Sequence, residues 1–227
     1  MSKLLESFRL LLTMDTEILQ IIGVTLRMSF FSTTISCLVG MPLGILLSKG
    51  NFKGKNSIKR LVNTLMGLPP VVAGLLVYLL FTRYGPFGDL QLLFTVEIMV
   101  IAQCVLITPI VISNTHYIVE VKSNQLIETA KGMGLGKFKT FALLFTENRR
   151  SLISVVLTAF GRSIAEVGAV SLVGGNIQWK TRVMTTAILL ETNKGDFTFA
   201  LALGIILLFI ALIVNILASI LSKENER

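Results

Sequence analysis

The sequence predicts an all-α integral membrane protein with about five transmembrane helices and one cytosolic helical hairpin between the third and the fourth. Of its 227 residues, 53% are hydrophobic and only 15% are charged, against roughly 25% charged residues in a soluble domain. Long apolar tracts recur along the chain, and the longest stretch with closely spaced charges is 120–150. We therefore expect 1–227 to form a single transmembrane domain.

The first apolar tract, 18–47, is longer than a membrane requires. As one helix it would measure about 45 Å at roughly 1.5 Å per residue, whereas the hydrocarbon core of a bilayer is roughly 30 Å thick. Gly23 is a plausible break, because glycine weakens a helix interior. The first span is therefore placed at 24–47, with Arg27 near one interface and Pro42 as a kink near the other end.

Prolines mark the second and third spans. The second span, 61–81, contains Pro69 and Pro70, which remove two backbone donors in mid-membrane and form either a static kink or a hinge. The third span, 94–118, contains Pro109 as a further kink. Neighbouring helices are expected to satisfy the carbonyls that these prolines release.

Two further spans follow the charged stretch, and we place them at 152–174 and 197–221. A polar segment lies between them, within which 184–190 could be a re-entrant piece. The sequence alone therefore leaves the count of five spans open by one. Asp196 is placed to cap the last helix.

Basic residues predict the orientation. The net charge is +8, but Lys and Arg cluster in short loops beside the apolar tracts, so no nucleic-acid partner is expected. With the N-terminus outside, the cytosolic segments 49–60, 120–150 and the C-terminal tail hold five, six and two basic residues, against six in the outer segments. The positive-inside rule thus predicts a multi-pass protein with its C-terminus and the charged stretch in the cytosol.

The charged stretch has the periodicity of two short amphipathic helices. The apolar residues that recur at helical spacing are Leu126, Ala130 and Met133 in the first half and Phe138, Phe141, Ala142 and Phe145 in the second. Alternate glycines between the halves permit a turn. Neither half is long enough to cross a bilayer, so the hairpin should lie on the membrane surface or dock into another protein.

Part of the hairpin resembles a known signature. Glu128-Thr129-Ala130, three further residues and then Gly134 are similar to the Glu-Ala-Ala-x-x-x-Gly signature of permease subunits of binding-protein-dependent ABC importers. In that family the loop is the coupling element, whose short helices sit in a groove of a separate ATPase subunit. The family usually continues to Ile-x-Leu-Pro, whereas 144–147 is Leu-Phe-Thr-Glu, so the register is kept and the proline is missing.

Two membrane segments carry a more specific resemblance. The segment 159–169, Ala-Phe-Gly-Arg-Ser-Ile-Ala-Glu-Val-Gly-Ala, and the Gly-Gly-Asn-Ile at 174–177 are similar to the helix after the loop in molybdate, tungstate and sulfate permeases. The segment 67–74, Gly-Leu-Pro-Pro-Val-Val-Ala-Gly, is similar to their second span. The sequence of 164–169, together with the Gly-Gly-Asn-Ile that follows at 174–177, is most similar to the tungstate branch of this family.

The resemblance implies a permease that acts as a homodimer in a prokaryotic cell membrane. It implies ABC ATPase subunits as partners, which bind ATP and Mg²⁺, and an extracytoplasmic binding protein that delivers a tetrahedral oxyanion. Tungstate is the favoured substrate, with molybdate or sulfate as alternatives. The chain itself would be no enzyme and carry no cofactor, and the Gly-rich segment 132–138 lacks the order of residues that a phosphate-binding loop needs.

Two groups of residues are candidates for function. Those expected to couple the hairpin to the ATPase are Glu128, Thr129, Ala130, Gly134, Phe138 and Phe141. Those expected to line or gate the translocation path are Arg162, Glu166, Gly168, Asn176, Pro69 and Pro70, with further hydroxyls at Ser29, Ser32, Thr33 and Thr34. Arg162 and Glu166, four residues apart, form either a self-neutralising structural pair or a gate on an anion path.

Two other classes of function stay open. An ion-coupled secondary carrier would account for intramembrane charges, although no inverted repeat is evident. An intramembrane enzyme would account for Glu166, Arg162 and His116, although these residues are divided between different spans and no nucleophile motif accompanies them. Cys37 and Cys104 fall inside apolar tracts, which argues against a disulfide or a metal site.

Overall fold

The computed structural model describes residues 15–50 and 52–223, and this part of the chain is helical without strands. The α-helices in chain order are α1 (Thr16–Lys49), α2 (Lys55–Met66), α3 (Pro70–Phe81), α4 (Val96–Lys122), α5 (Asn124–Gly132), α6 (Lys137–Glu147), α7 (Arg149–Ile164), α8 (Gly168–Gly174), α9 (Met184–Lys194) and α10 (Phe197–Lys223). A short 3₁₀ helix, Gly88–Leu90, lies between α3 and α4. The predicted all-α fold is confirmed.

Three of the described helices, α1, α4 and α10, are long and apolar enough to cross a membrane. Two bent pairs, α2 with α3 and α7 with α8, also qualify when each pair is taken as one span. The described residues therefore provide from three to five candidate spans, and the predicted five is the upper value.

The first helix is continuous, so the break expected at Gly23 is wrong. The Asp15 carboxylate caps α1 by accepting the Glu17 N–H at 3.3 Å, and the helix then runs for 34 residues. One interior glycine costs roughly 1 kcal/mol relative to alanine, which is too little to end so long a helix. At roughly 1.5 Å per residue α1 is about 51 Å long and extends beyond the hydrocarbon core.

A glycine pair brings α1 against α4 in the largest helix contact of the bundle. A β-carbon on Gly40 would lie 2.8 Å from Cγ1 of Val111, and one on Gly44 would lie 2.7 Å from the carbonyl oxygen of Ile112. Small residues four apart let two membrane helices approach closely. Pro42 stands between the two glycines inside the unbroken helix.

The span predicted at 61–81 is divided into two helices. α2 and α3 meet at an angle of 100°, with Pro69 as the N-cap of α3 and Pro70 as its first residue. Proline is well suited to the first helical position, because the missing N–H would have no helical partner there. The two prolines therefore begin a new helix and do not kink a continuous one.

The region predicted as 152–174 is also bent, by 58° between α7 and α8. The polar segment that follows contains α9, which packs on α10. Asp196 caps α10 as expected, since its Oδ1 accepts the Phe199 N–H at 3.1 Å. α10 in turn packs along α7, and α8 packs against α3 and α4.

Candidate functional site

The predicted hairpin is present as α5 and α6, which directly follow α4. Gly134 turns the chain with a φ of +69°, a conformation that glycine adopts without steric cost. The N–H of Leu135 donates to the carbonyl of Ala130, and that of Met133 to Thr129, each at 2.9 Å. A β-carbon on Gly134 would meet no described atom within 4 Å, so conformation and not crowding within this chain favours glycine.

The inner side of the hairpin is bound to the ends of two membrane helices. Ala130 is 1% exposed and Leu144 is fully buried. Leu144 forms an apolar cluster with Ile45 of α1 and Val119 of α4, and Phe141 packs against this cluster. The hairpin is therefore packed directly against α1 and α4.

The outer side of the hairpin exposes large apolar side chains. Phe138 is 84% exposed and Met133 is 70% exposed, while Glu128 and Thr129 are also exposed. The structure thus separates Phe138 from Phe141, which the sequence analysis placed on one face. Of the six residues predicted for coupling, Phe141 packs against the cluster that joins the hairpin to α1 and α4, Ala130 is buried, and Phe138 is presented outward.

A polar clamp closes the base of the hairpin, and the sequence analysis missed it. The Asn148 amide nitrogen donates to Oγ of Ser123 and to the carbonyl oxygen of Leu144, both at 2.8 Å. Asn148 is 4% exposed and Ser123 is fully buried. The clamp joins the end of α4 to the junction of α6 and α7. Ser and Asn at helix boundaries were the available signal, because their side chains commonly bond to nearby backbone groups.

The ion pair predicted from four-residue spacing is formed. Nη1 of Arg162 donates to Oε2 of Glu166 at 2.9 Å. Glu166 is 3% exposed and lies in the break between α7 and α8, whereas the Arg162 side chain is 39% exposed. Oε1 of Glu166 accepts the N–H of Ala169 at 3.3 Å, where a carboxylate is favoured by the N-terminal end of a helix. Glu166 therefore bridges the bend.

The contact between α3 and α8 brings two other predicted positions together. A β-carbon on Gly168 would lie 2.8 Å from Cγ2 of Val71 and 3.6 Å from Cβ of Pro70. One on Gly74 would lie 2.6 Å from Cα of Ala169. Backbone packs against backbone at this crossing, which only small residues permit.

The first turn of α9 holds both ends of α8. Oγ1 of Thr185 donates to the carbonyl oxygen of Glu166 at 2.7 Å, and Oγ1 of Thr186 donates to Oδ1 of Asn176 at 2.9 Å. The predicted path residues Glu166, Gly168 and Asn176 are therefore grouped around one short helix, with Arg162 and Pro70 beside it. α8 itself packs against α3 and α4, and the residues that flank it are bonded to α9.

A buried hydrogen-bond network joins α1, α4 and α7, and the sequence analysis did not identify its centre. Oε1 of Gln103 accepts hydrogen bonds from Ser32 and Ser163, each at 2.6 Å, and its Nε2 donates to the Ser163 carbonyl at 2.9 Å. All three residues are fully buried. An amide inside an apolar tract was the signal that could have found it.

The hydroxyls predicted to line the translocation path divide into buried and exposed residues. Ser29, Ser32 and Thr33 are buried, and Thr34 is exposed with its hydroxyl bonded to the Phe30 carbonyl at 2.8 Å. The three buried residues are therefore enclosed by helices of this chain.

His116 belongs to a salt-bridge cluster at the hairpin end of α4. Its Nε2 lies 3.0 Å from Oε2 of Glu120, whose Oε1 lies 2.7 Å from Nζ of Lys59. Within 15–50 and 52–223, no group of three His, Cys, Asp or Glu side chains is placed to hold a metal ion. Cys37 and Cys104 are free thiols.

Comparison with known proteins identifies a family and relatives of similar length. Residues 40–227 match the family described as binding-protein-dependent transport system inner membrane component. The tungstate uptake system permease protein TupB of Peptoclostridium acidaminophilum is 36% identical over all of both chains. The protein of the same name from Campylobacter jejuni is 39% identical over 96% of this chain and 91% of its own length.

The fold is also found among solved structures. A chain of the MetNI methionine ABC transporter, in an inward-facing conformation, aligns with a TM-score of 0.71 over 92% of this chain and 98% of that chain. The sequence identity is 16%, so the likeness concerns the fold alone.

Proposed function

The chain belongs to the family of binding-protein-dependent transport system inner membrane components, and from this membership we propose that it is the permease subunit of an ATP-driven importer of tungstate. The identities of 36% and 39% to two tungstate uptake permeases support this substrate. Molybdate and sulfate are the alternatives, because they share the tetrahedral shape and negative charge of tungstate.

Uptake of tungstate by vesicles that contain the whole transporter tests the proposal. We expect uptake that requires ATP and that excess molybdate or sulfate reduces less than excess tungstate does. Stronger competition by sulfate or molybdate would identify that anion, and not tungstate, as the substrate. Uptake that continues without the ATPase and follows an ion gradient would favour a secondary carrier.

The hairpin is the proposed coupling element. ATP and Mg²⁺ would be bound by separate ATPase subunits, and the exposed Phe138 and Met133 would contact them, with Glu128, Thr129 and Gly134 nearby. The buried contacts of Leu144 with α1 and α4 support this role, because they provide a mechanical connection from the exposed surface to the membrane helices. ATP-driven closure of the ATPase subunits would then move the helices as rigid bodies.

Co-purification with the ATPase subunits tests the coupling surface. Phe138→Asp places a charge on an exposed position, so the chain should fold and lose the ATPase. Tyr84→Asp is the matched control, since Tyr84 is 95% exposed on the loop between α3 and α4, remote from the hairpin, and should retain it. If Phe138→Asp also retains the ATPase and supports full uptake, the coupling role of this surface is refuted.

Gly134 provides an independent test of the same element. Because no described atom lies within 4 Å of its β-carbon position, Gly134→Trp has room within this chain, although the positive φ disfavours any side chain. We expect membrane insertion to be preserved and ATP-driven uptake to be lost. Normal uptake would contradict the requirement for a glycine turn at the ATPase surface.

We place the translocation path between two copies of the chain, with α8 and the Arg162–Glu166 pair as its gate. The 58° bend at Glu166 supports this assignment, because a helix break is a position at which small rotations can open or close a cavity. Disulfide trapping between copies tests the homodimer: a single cysteine on the exposed side of α8, such as Leu172→Cys, should cross-link. A complex with one permease copy would refute the two-fold arrangement.

An extracytoplasmic binding protein is proposed to dock on the loops opposite the hairpin. Tyr84 is 95% exposed and Trp179 is 56% exposed, and exposed aromatic residues are typical anchors of protein interfaces. Tyr84 lies in the loop between α3 and α4, and Trp179 lies in the loop between α8 and α9. Within the described residues, the non-glycine residues with positive φ all lie in these two loops: Gln91, Phe94, Asn176 and Trp179. Tyr84→Asp should weaken the attachment of the extracytoplasmic binding protein and leave that of the ATPase unchanged. Phe138→Asp should have the reverse effect.

The orientation, with the N-terminus outside and the C-terminus in the cytosol, is part of the proposal. The excess of basic residues in the predicted cytosolic segments supports it. A membrane-impermeant thiol reagent applied to intact cells should label Tyr84→Cys and should not label Phe138→Cys. The opposite labelling pattern would show that the N-terminus is in the cytosol and the C-terminus outside.

A further inference from the structure

The spans α1 and α4 run side by side in the same direction. Hydrogen bonds between them join residues 71 or 72 positions apart, among them the 3.2 Å bond from Oγ1 of Thr108 to Oγ of Ser36. The same offset puts Arg27 of α1 level with positions 98 and 99 of α4, within one helical turn of Glu97. The two charged side chains therefore lie at the same height, at the end of the two helices that is opposite the hairpin.

A groove between α1 and α4 contains both of these charges. It encloses a cavity of about 350 Å³. Arg27 and Glu97 line the cavity, and both side chains are exposed. The rest of the lining is apolar and consists of Phe31, Ile35, Val96, Val100 and Ile101. The groove thus combines an apolar wall with one positive and one negative charge.

The groove extends from the membrane surface into the hydrocarbon core. Arg27 lies within one turn of the start of the predicted span 24–47, and Glu97 within one turn of the start of 94–118. Ile35 is eight residues beyond Arg27, which is about 12 Å along a helix. Half of the hydrocarbon core measures about 15 Å. The charges are therefore at the level of lipid headgroups, and the apolar wall is at the level of acyl chains.

The protein offers the two charges no salt-bridge partner among residues 15–50 and 52–223, where the salt bridges join other side chains. Ionisable groups at the membrane are usually paired, because an unpaired charge beside hydrocarbon is costly. A zwitterionic headgroup carries a phosphate and an ammonium group close together. It can therefore complement Arg27 and Glu97 at once, whereas Glu97 would repel a headgroup that is only anionic.

A second copy of the chain is the less suitable occupant of the groove. The contact between copies is proposed above for α8, which packs against α3 and α4. α1 packs instead against α4, α7 and α9. The groove therefore lies on a different side of α4 from the proposed two-fold contact, where lipid is the surrounding medium.

We propose that this groove binds one molecule of phosphatidylethanolamine. The Arg27 guanidinium holds the phosphate through paired N–H groups, and the Glu97 carboxylate accepts hydrogen bonds from the primary ammonium. One acyl chain lies along Phe31, Ile35 and Ile101. The orientation proposed above decides only that the lipid belongs to the outer leaflet, and the site itself does not depend on the substrate or the coupling surface.

Mass spectrometry of the intact transporter, which counts the lipids that remain bound, tests this proposal. The transporter is mixed in detergent with dioleoyl-phosphatidylethanolamine, dioleoyl-phosphatidylcholine or dioleoyl-phosphatidylglycerol at equal concentration. The variants are Arg27→Gln and Glu97→Gln, which keep the size of two exposed side chains. The matched controls are Arg83→Gln and Asp89→Asn, a basic and an acidic residue that line a separate cavity beside the loop between α3 and α4.

The unaltered transporter should retain phosphatidylethanolamine in preference to both other lipids. Phosphatidylcholine binds less because its methylated nitrogen has no N–H to donate to Glu97, and phosphatidylglycerol binds less because Glu97 repels it. Arg27→Gln should lower the affinity for phosphatidylethanolamine about five-fold. Glu97→Gln should reverse the order, so that phosphatidylglycerol binds better than phosphatidylethanolamine. The two control variants should leave the order and the affinity unchanged.

A second pair of variants tests whether the lipid lies in the groove. Ile101→Trp fills the apolar part of the cavity and should reduce the retention of phosphatidylethanolamine. Leu208→Trp is the matched control, because Leu208 is 71% exposed on α10, outside the groove, and should leave retention unchanged.

Three results would overturn the proposal. Equal retention of the three lipids by the unaltered transporter would show that the headgroup is not recognised. An unchanged order in Glu97→Gln, or full retention in Ile101→Trp, would place the lipid elsewhere. A disulfide between two copies through Phe31→Cys, which the unaltered chain does not form, would make the groove a subunit interface.

Discussion

Gly74 is the residue at which the backbones of α3 and α8 come closest. A β-carbon there would lie 2.6 Å from Cα of Ala169 and 3.1 Å from its carbonyl oxygen, whereas ordinary contacts are 3.4 Å or longer. Gly74→Ala must therefore separate the two backbones by about 0.8 Å, the difference between 3.4 and 2.6 Å. Overpacking of this kind costs about 1–3 kcal/mol, and the helix propensity of alanine returns roughly 1 kcal/mol of it. We expect a net loss of up to about 2 kcal/mol.

Thermal unfolding of the purified protein in detergent measures this loss. A thiol-reactive dye reports the exposure of Cys37 and Cys104 as the helices separate. The midpoint for Gly74→Ala should fall by up to about 8 °C, at roughly 2–4 °C per kcal/mol for a chain of this size. Gly23→Ala is the control, since its β-carbon meets no described atom within 4 Å, and it should unfold at or above the original midpoint. Equal midpoints for the two variants would show that α3 and α8 are not in backbone contact.

Gln103→Leu removes three hydrogen bonds between α1, α4 and α7; at about 0.6 kcal/mol each in a membrane this is about 2 kcal/mol, visible in the same unfolding measurement. Asn215→Leu, whose amide bonds a carbonyl of its own helix, should leave the midpoint unchanged, and equal effects would refute the network. Asn148→Leu opens the clamp at the base of the hairpin, so the fractional loss of ATP-driven uptake should exceed the fractional fall of the unfolding midpoint. Full uptake would contradict the role of the clamp. Glu166→Gln leaves Arg162 without its carboxylate and should reduce uptake, with a loss of stability of about 1 kcal/mol because Arg162 is partly exposed. The double variant with Arg162→Gln should restore uptake if the pair is only self-neutralising, and continued inactivity would assign Arg162 to the anion path.

Local patterns in the sequence were sufficient for the features that depend on neighbouring residues. Apolar tracts long enough to cross a bilayer predicted the membrane class, and helical spacing in 120–150 predicted the hairpin now seen as α5 and α6. The four-residue spacing of Arg162 and Glu166 predicted their ion pair. Each of these features is determined within one or two helical turns, so the residues that produce it are adjacent in the sequence.

Features of the candidate site that join distant helices could not be predicted in the same way. Whether Phe141 faces inward depends on Ile45 and Val119, which lie on other helices. The same holds for the Gln103 network, because its partners are 71 and 60 residues away.

Composition and periodicity alone thus determined that this chain crosses a membrane by helices and presents a charged hairpin. Only the tertiary structure decided where those helices break and which faces meet. A glycine such as Gly23 and a glycine such as Gly74 are equal in a local pattern, yet one has no described atom within 4 Å of its β-carbon position and the other faces the backbone of Ala169. The physical reason is that close packing is a relation between two surfaces, and a sequence pattern describes only one of them.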